Sequence, residues 1–186
     1  MKNSYKSDSA VGPRLSKVAH IAVSTAIIMM GLATPISSDA GASQAPSWTD
    51  SEVAATLNYG GSASITSVTC PSSTFCVAGG NFQDSSGNGQ AFVSVWNGTT
   101  WTDSRVAASL NNGGFASITS VSCSSSTFCV AGDSSGNGQA FVSVWNGTTW
   151  TDSQVAAALY TGLGAGITSV SCSSSNFCVA GGNYKD

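Results

Sequence analysis

Residues 117–132 read SITSVSCSSSTFCVAG, and near copies stand at 64–79 (SITSVTCPSSTFCVAG) and 166–181 (GITSVSCSSSNFCVAG). Each copy holds two cysteines with five residues between them: Cys70 and Cys76, Cys123 and Cys129, Cys172 and Cys178. The alternation predicts two strands, about 118–123 and 128–131, joined by a Ser-rich turn at 124–127. Val121, Cys123, Cys129 and Ala131 then share one face, which sets the two cysteines opposite each other as a cross-strand disulfide requires. Phe128 and Val130 take the other face, so neither side is plainly solvated.

The next apolar run, QAFVSVW at 139–145, behaves in the same way. Ala140, Val142 and Val144 fall on one face, and Phe141, Ser143 and Trp145 on the other. A sheet apolar on both faces must be covered on both, as happens when sheets stack around a ring or along an array. The Asn146-Gly147 turn leads into a fourth strand at 149–156. Its DSQVAAAL half also reads as a short helix capped by Asp152 or Ser153.

Working outward, WTDSEVAATL, WTDSRVAASL and WTDSQVAAAL begin at Trp48, Trp101 and Trp150. The second spacing is four residues shorter, because GGNFQDSSGNG in the first unit becomes GDSSGNG in the second. A change of length there points to a loop, since a slip within a paired strand would turn side chains onto the wrong face. The units run about 48–100, 101–149 and 150–186, and residues 84–104 are identical to 133–153. The expected fold is all-β, with antiparallel four-stranded units of about 50 residues arranged like propeller blades. Fewer than three blades are present, and closure of a propeller takes roughly four to eight. The sequence is therefore expected to be either part of a longer product or a protomer that completes a ring as a homo-oligomer.

The C-x5-C-V-A-G hairpins followed by V-W-N-G-T-T-W resemble the repeats of secreted bacterial β-propeller-like proteins. The segments at 94–101 and 143–150, SVWNGTTW, are also similar to the Asp-box hairpin of sialidase-type propellers, S-x-D-x-G-x-x-W. Trp96 and Trp145 stand where that motif has its aspartate, so the resemblance concerns the turn and implies no activity.

The amino terminus reads as a signal peptide over residues 1–42. Lys2, Lys6, Arg14 and Lys17 precede the apolar run VAHIAVSTAIIMMGLA at 18–33, which is shorter than the roughly 20 residues of a membrane-spanning helix. Small-residue cleavage signals follow at Ala40-Gly41-Ala42 and at Ser38-Asp39-Ala40, then a linker at 43–47. Beyond Ala42 only Arg105 and Lys185 are basic, against seven acidic residues and no histidine. A surface so poor in cations excludes nucleic acid, and anionic membrane after leader removal, as partners. The expected location is secreted or cell-surface. Six cysteines in an exported chain read as three local disulfides, with zinc disfavoured by the long C-x5-C spacing and the missing histidines.

Three sets of residues have side chains suited to ligand or acid–base chemistry. The loop DSSGNGQ places Asp84, Ser86 and Asn88, and again Asp133, Ser135 and Asn137, at alternate positions before glycine, like the start of a calcium loop. The twelfth position is Val95 or Val144 instead of glutamate, so a polar hairpin loop is the plainer reading, and calcium is the one cofactor this spacing suggests. Asp50, Asp103 and Asp152 recur two residues after tryptophan, and equivalent carboxylates in like surroundings suit capping or turn roles better than acid–base chemistry. Trp96 and Trp145, with Trp101 and Trp150, flank the N-G-T-T turns, where they either pack between sheets or stack on sugar rings. Asn97-Gly98-Thr99 and Asn146-Gly147-Thr148 are formal glycosylation acceptors. Without a nucleophile–base set, the expectation is a non-catalytic module that binds an extracellular glycan or protein, or a passive spacer. The alternative is a fragment of a larger secreted propeller hydrolase of the sialidase or glycosidase kind.

Overall fold

The computed structural model describes residues 19–21, 49–58, 61–111, 114–159, 162 and 164–185. Two short strands, β1 (Ala19–Ile21) and β2 (Thr49–Ser51), pair antiparallel. The first four-stranded sheet follows as β3 (Ala63–Ser72), β4 (Phe75–Gln83), β5 (Gly89–Trp96) and β6 (Trp101–Arg105). The second holds β7 (Ser120–Ser125), β8 (Phe128–Ser134), β9 (Ala140–Trp145) and β10 (Trp150–Gln154), and β11 (Ala165–Ser174) with β12 (Phe177–Tyr184) makes a third, two-stranded sheet. All pairings are antiparallel and each larger sheet is a simple meander. The protein is thus all-β, as expected, and its sheets stack in series without closing. Most of the predicted leader and the linker at 43–47 lie outside the described residues.

The cores sit between sheets, because the two inner strands of each four-stranded sheet carry apolar residues on both sides. Val77, Ala91 and Val93 from the first sheet meet Ile118, Val121, Cys129, Ala131 and Phe141 from the second. On the far side of the second sheet, Val130 and Ala140 meet Ala165, Ile167 and Val170 of the third. This is the partition that the period of two requires, with odd and even residues of β8 and β9 feeding different cores.

The sheets approach closely where glycine stands in the second strand. A Cβ on Gly79 would lie 2.6 Å from Ile118 and 2.7 Å from Val121, and one on Gly132 would lie 3.0 Å from Ile167 and 3.2 Å from Val170. Hydroxyls then stitch the first strands together. Ser67 accepts the Val121 N–H at 3.0 Å, Ser120 accepts the Val170 N–H at 2.9 Å, and Ser122 accepts the Cys172 N–H at 3.0 Å. Thr66 Oγ1 lies between the carbonyls of Gly79 and Ile118, as Thr119 Oγ1 does between those of Gly132 and Ile167. The repeated S-I-T-S is therefore the seam between neighbouring sheets.

Three findings correct the expectations from sequence. First, the four-residue deletion does not fall in the loop. β4 and β5 have 9 and 8 residues, β8 and β9 have 7 and 6, and five residues (84–88 or 135–139) connect each pair. Two residues have left each strand, an even step that keeps every side chain on its face. Second, β7 starts at Ser120, not near 118, whereas β3 and β11 begin at Ala63 and Ala165. The second glycine of Gly79-Gly80 and of Gly181-Gly182 explains this, since a Cβ on Gly80 or Gly182 would lie 1.8 Å from the carbonyl oxygen of Ser64 or Gly166. The second unit has Asp133 at that register position, opposite Phe141 where Gly80 is opposite Phe92. The segment before β7 is lifted onto the preceding sheet, where Ile118 N–H donates to Gly80 and Ala116 N–H to Gly89. Third, the fourth strand ends at Gln154 and is followed by Ala156, at φ 53°, and a 3-10 turn at Ala157–Leu159. Neither a strand to 156 nor a helix capped by Asp152 or Ser153 forms.

All three cysteine pairs are disulfides, with Cα–Cα distances of 4.1, 4.0 and 4.1 Å, and no described cysteine is free. Each closes a loop with a sequence separation of 6. Replacing Cys123 and Cys129 together by serine should cost about 2 kcal/mol in urea unfolding. Gly79→Val should cost about 1–3 kcal/mol by the same measurement, because Ile118 and Val121 leave it no room.

Candidate functional site

The two ends of the sheets carry different chemistry. At one end lie the disulfide turns and the N-G-T-T turns, which touch: a Cβ on Gly98 would be 3.4 Å from Thr74, and one on Gly147 would be 3.3 Å from Thr127. At the other end lie the DSSGNGQ loops and the connections between sheets. β5 runs from one end to the other, a rise of roughly 23 Å.

At the turn end, Trp96 opposes Trp101 and Trp145 opposes Trp150 across antiparallel strands. Their rings lie 5.6 and 5.4 Å apart, tilted at 44° and 38°. All four are half-buried. Each pair continues a row that starts at the disulfide, since Cys76 is the register partner of Trp96 and Cys129 that of Trp145. Trp101 Nε1 donates to Ser51 at 3.0 Å and Trp145 Nε1 to the Ser126 carbonyl at 3.1 Å, while Trp150 Nε1 is buried without a partner. Side-chain hydrogen bonds brace the turns. Asn97 Oδ1 accepts from Thr99 N–H at 3.0 Å, Thr99 Oγ1 at 2.8 Å and Thr100 N–H at 3.0 Å, and Asn146 holds Thr148 and Thr149 in the same way. Both glycosylation sequons are thus built into exposed turns. The outcome is a two-ring aromatic ledge repeated on two successive sheets.

At the loop end the two copies of DSSGNGQ diverge. In the first, Asp84 opens the loop, and its carboxylate accepts from Ser86 N–H at 2.9 Å, Asn88 N–H at 3.0 Å and Gln90 Nε2 at 2.8 Å. These donors, Asn88 N–H foremost, hold the Asp84 carboxyl below the usual 3.8. Ser86 and Asn88 thus meet Asp84 through their backbone N–H groups. In the second copy, the shortened strands draw Asp133 into β8, where it is buried, and Ser135 opens the loop instead. Burial raises the Asp133 carboxyl from 3.8 to about 6, against the opposing hydrogen bonds from Ser134 and Ser117. Asp84, Ser86 and Asn88 therefore have no structural twins in Asp133, Ser135 and Asn137. Among the described residues no three His, Cys, Asp or Glu side chains converge as a metal site.

Sequence reasoning missed a polar link on this end. Asn111 is buried and donates to Gln90 Oε1 at 2.9 Å and to the Gly89 carbonyl at 3.0 Å, while its Oδ1 accepts the Gly136 N–H at 3.2 Å. Asp84, Gln90 and Asn111 thus tie the first loop to the second. The available signal was the asparagine after leucine in two of the three connecting turns, Leu57-Asn58 and Leu110-Asn111.

The recurrent aspartates lie at the junctions. Asp103 accepts the N–H of Ala54 at 3.1 Å and the hydroxyl of Thr56 at 3.0 Å, and Asp152 accepts the N–H of Ala107 at 2.7 Å. Ser94 and Ser143, fully buried, donate to the same two carboxylates. Ala54 and Ala107 have φ of 63° and 53°, a left-handed conformation that costs alanine about 1–2 kcal/mol. A carboxylate from the following sheet grips each at that residue. Asp50 lies in β2, and its side chain falls outside the described residues.

No family model, no curated protein and no solved structure matches this chain. The structure therefore defines its class alone: an all-β, disulfide-stapled stack of antiparallel sheets. Three disulfides fit an oxidising, extracellular environment. No described helix is long and apolar enough to cross a membrane.

Asp152→Ala should destabilise by about 1–3 kcal/mol in urea, leaving the Ala107 N–H and the Ser143 hydroxyl unpaired. Asp133 gives a pH dependence of opposite sign to an ordinary paired carboxylate. Its folded value is raised, so its contribution is full below 3.8 and is lost as pH rises through about 6. Asp133→Asn should therefore raise stability at neutral pH by about 1–2 kcal/mol, after allowance for solvent screening, and change little at pH values below that window. Urea titrations at both ends of the window measure the difference.

Proposed function

We propose that this chain is a secreted, non-catalytic β-propeller-like module whose tryptophan ledge holds an extracellular glycan. Four-stranded meanders packed face to face, closest along their first strands, support the propeller-like arrangement. The hairpin disulfides and the acidic, cation-poor sequence beyond Ala42 support export.

The observation that carries the binding reading is the repeated ledge: Trp96 with Trp101 and Trp145 with Trp150, on hydrogen-bonded turns of identical sequence. Half-buried indole pairs keep one apolar edge toward solvent, where the C–H faces of sugar rings can lie, and the neighbouring Thr and Asn groups offer hydrogen bonds. Two like ledges on one end bind a repeating polymer with more avidity than either alone. Two copies of one ledge suit recognition of a repetitive ligand, whereas catalysis needs groups in different environments.

Retention on insoluble polysaccharides and cell-wall material tests this. The wild-type chain should be held, the Trp96→Ala, Trp145→Ala double variant should lose roughly tenfold or more in affinity, and phenylalanine at both positions should restore much of it. Near-ultraviolet circular dichroism checks that the variants remain folded. Failure of the wild-type chain to be retained on any such surface ends the reading.

A further inference from the structure

The two internal junctions between sheets are built from the same parts, and the outer faces of the stack display the two halves of that junction separately. In each junction the earlier sheet offers a hollow, made by the glycine of V-A-G with an apolar rim. The later sheet offers a knob, made by the isoleucine and valine of I-T-S-V. Gly79 receives Ile118 and Val121, and Gly132 receives Ile167 and Val170. The rims are Val77 and Val130, at 0 % and 6 % exposure, and the knob valines Val121 and Val170 are at 6 % and 7 %.

On the third sheet the hollow is open. A Cβ on Gly181 would meet nothing within 4 Å, and the rim residues Val179 and Phe177 are 55 % and 61 % exposed. On the first sheet the valine of the knob is uncovered, with Val68 at 45 % exposure where its two equivalents are buried, and Ile65 is half-buried where Ile118 and Ile167 are buried. The polar parts match as well. Ser169 stands where Ser67 and Ser120 accept a valine N–H from the next sheet, and Thr168, bonded to the Gly181 carbonyl at 3.3 Å, stands where Thr66 and Thr119 also reach an isoleucine carbonyl. Even the turn that accompanies each junction is already formed, because Val53 and Leu57 pack on the outer half of the first sheet. Val106 and Leu110 take the corresponding place at the first junction.

We infer that a second copy of this chain docks head to tail, seating Ile65 and Val68 of one copy against Gly181, Val179 and Phe177 of the other. Val68 N–H then meets Ser169 Oγ of its neighbour, and the Ile65 carbonyl meets Thr168 Oγ1. The contact is heterologous, so it leaves one hollow and one knob free on every dimer and permits further addition until a ring closes.

Sedimentation velocity of the oxidised chain over a wide range of loading concentration tests this. The wild-type mass should climb toward multiples of one chain. Val68→Asp spoils the knob and Gly181→Val fills the hollow, each at a site where the single chain has space. Either variant alone should therefore stay at the mass of one chain. An equimolar mixture should form a two-chain species and stop there, because the Gly181→Val chain keeps a sound knob and the Val68→Asp chain a sound hollow. A wild-type chain of single mass at every concentration overturns the proposal. So does a mixture that fails to pair although both variants keep their three disulfides and the wild-type circular dichroism. Association that persists in either variant alone overturns it too, because another surface must then hold the copies together.

Discussion

Contact between neighbouring sheets depends on a missing side chain. At Gly79 and Gly132 the second strand has no Cβ, and the isoleucine and valine of the next sheet fill the space. The rest of the junction needs that separation. Serine and threonine hydroxyls are short, and they reach backbone groups of the next sheet only because the first strands lie so near. A larger residue in either glycine would push apart the apolar surfaces and break the hydroxyl bridges together. The composition follows from this: a chain rich in Gly, Ser and Thr has few long side chains with which to span a wider gap.

The same economy governs the outer parts of the sheets. Asp103 and Asp152 each satisfy a buried serine and a backbone N–H from the preceding connection, which joins three segments at one carboxylate. The alanine held there adopts a conformation that usually belongs to glycine. Such a grip fixes how each connection leaves one sheet and enters the next. On the opposite side of the connection Asn111 does comparable work with neutral groups.

Much of this was legible in the residues because both faces of the inner strands are apolar. Period two in 139–145 assigned Ala140, Val142 and Val144 to one core and Phe141 and Trp145 to another, and the structure divides them so. The cysteine pairing was equally plain, since strands that face each other across a short turn leave only one partner within reach. What stayed hidden depends on contacts between units. Identical sequence at 84–90 and 133–139 suggested identical loops, yet the partner strands differ in length, and Asp133 is drawn into β8. The paired aspartates could be recognised as recurrent, but not as junction residues, because their partners lie 45 and 49 positions away. Trp96 and Trp145 were correctly placed beside their turns, and the structure adds that each leans on its cross-strand neighbour.

The shortened hairpin of the second sheet sets a rule for how such a chain can change length. A strand buried on both faces tolerates gain or loss only of residue pairs, and its antiparallel partner must change by the same amount. Four residues is therefore the smallest edit that leaves both cores undisturbed. Each edit raises or lowers the loop end of that sheet by two residues, roughly 7 Å, while the disulfides and tryptophans at the far end stay where they are. Neighbouring sheets can in this way present their loops at different heights above a shared and unchanging base.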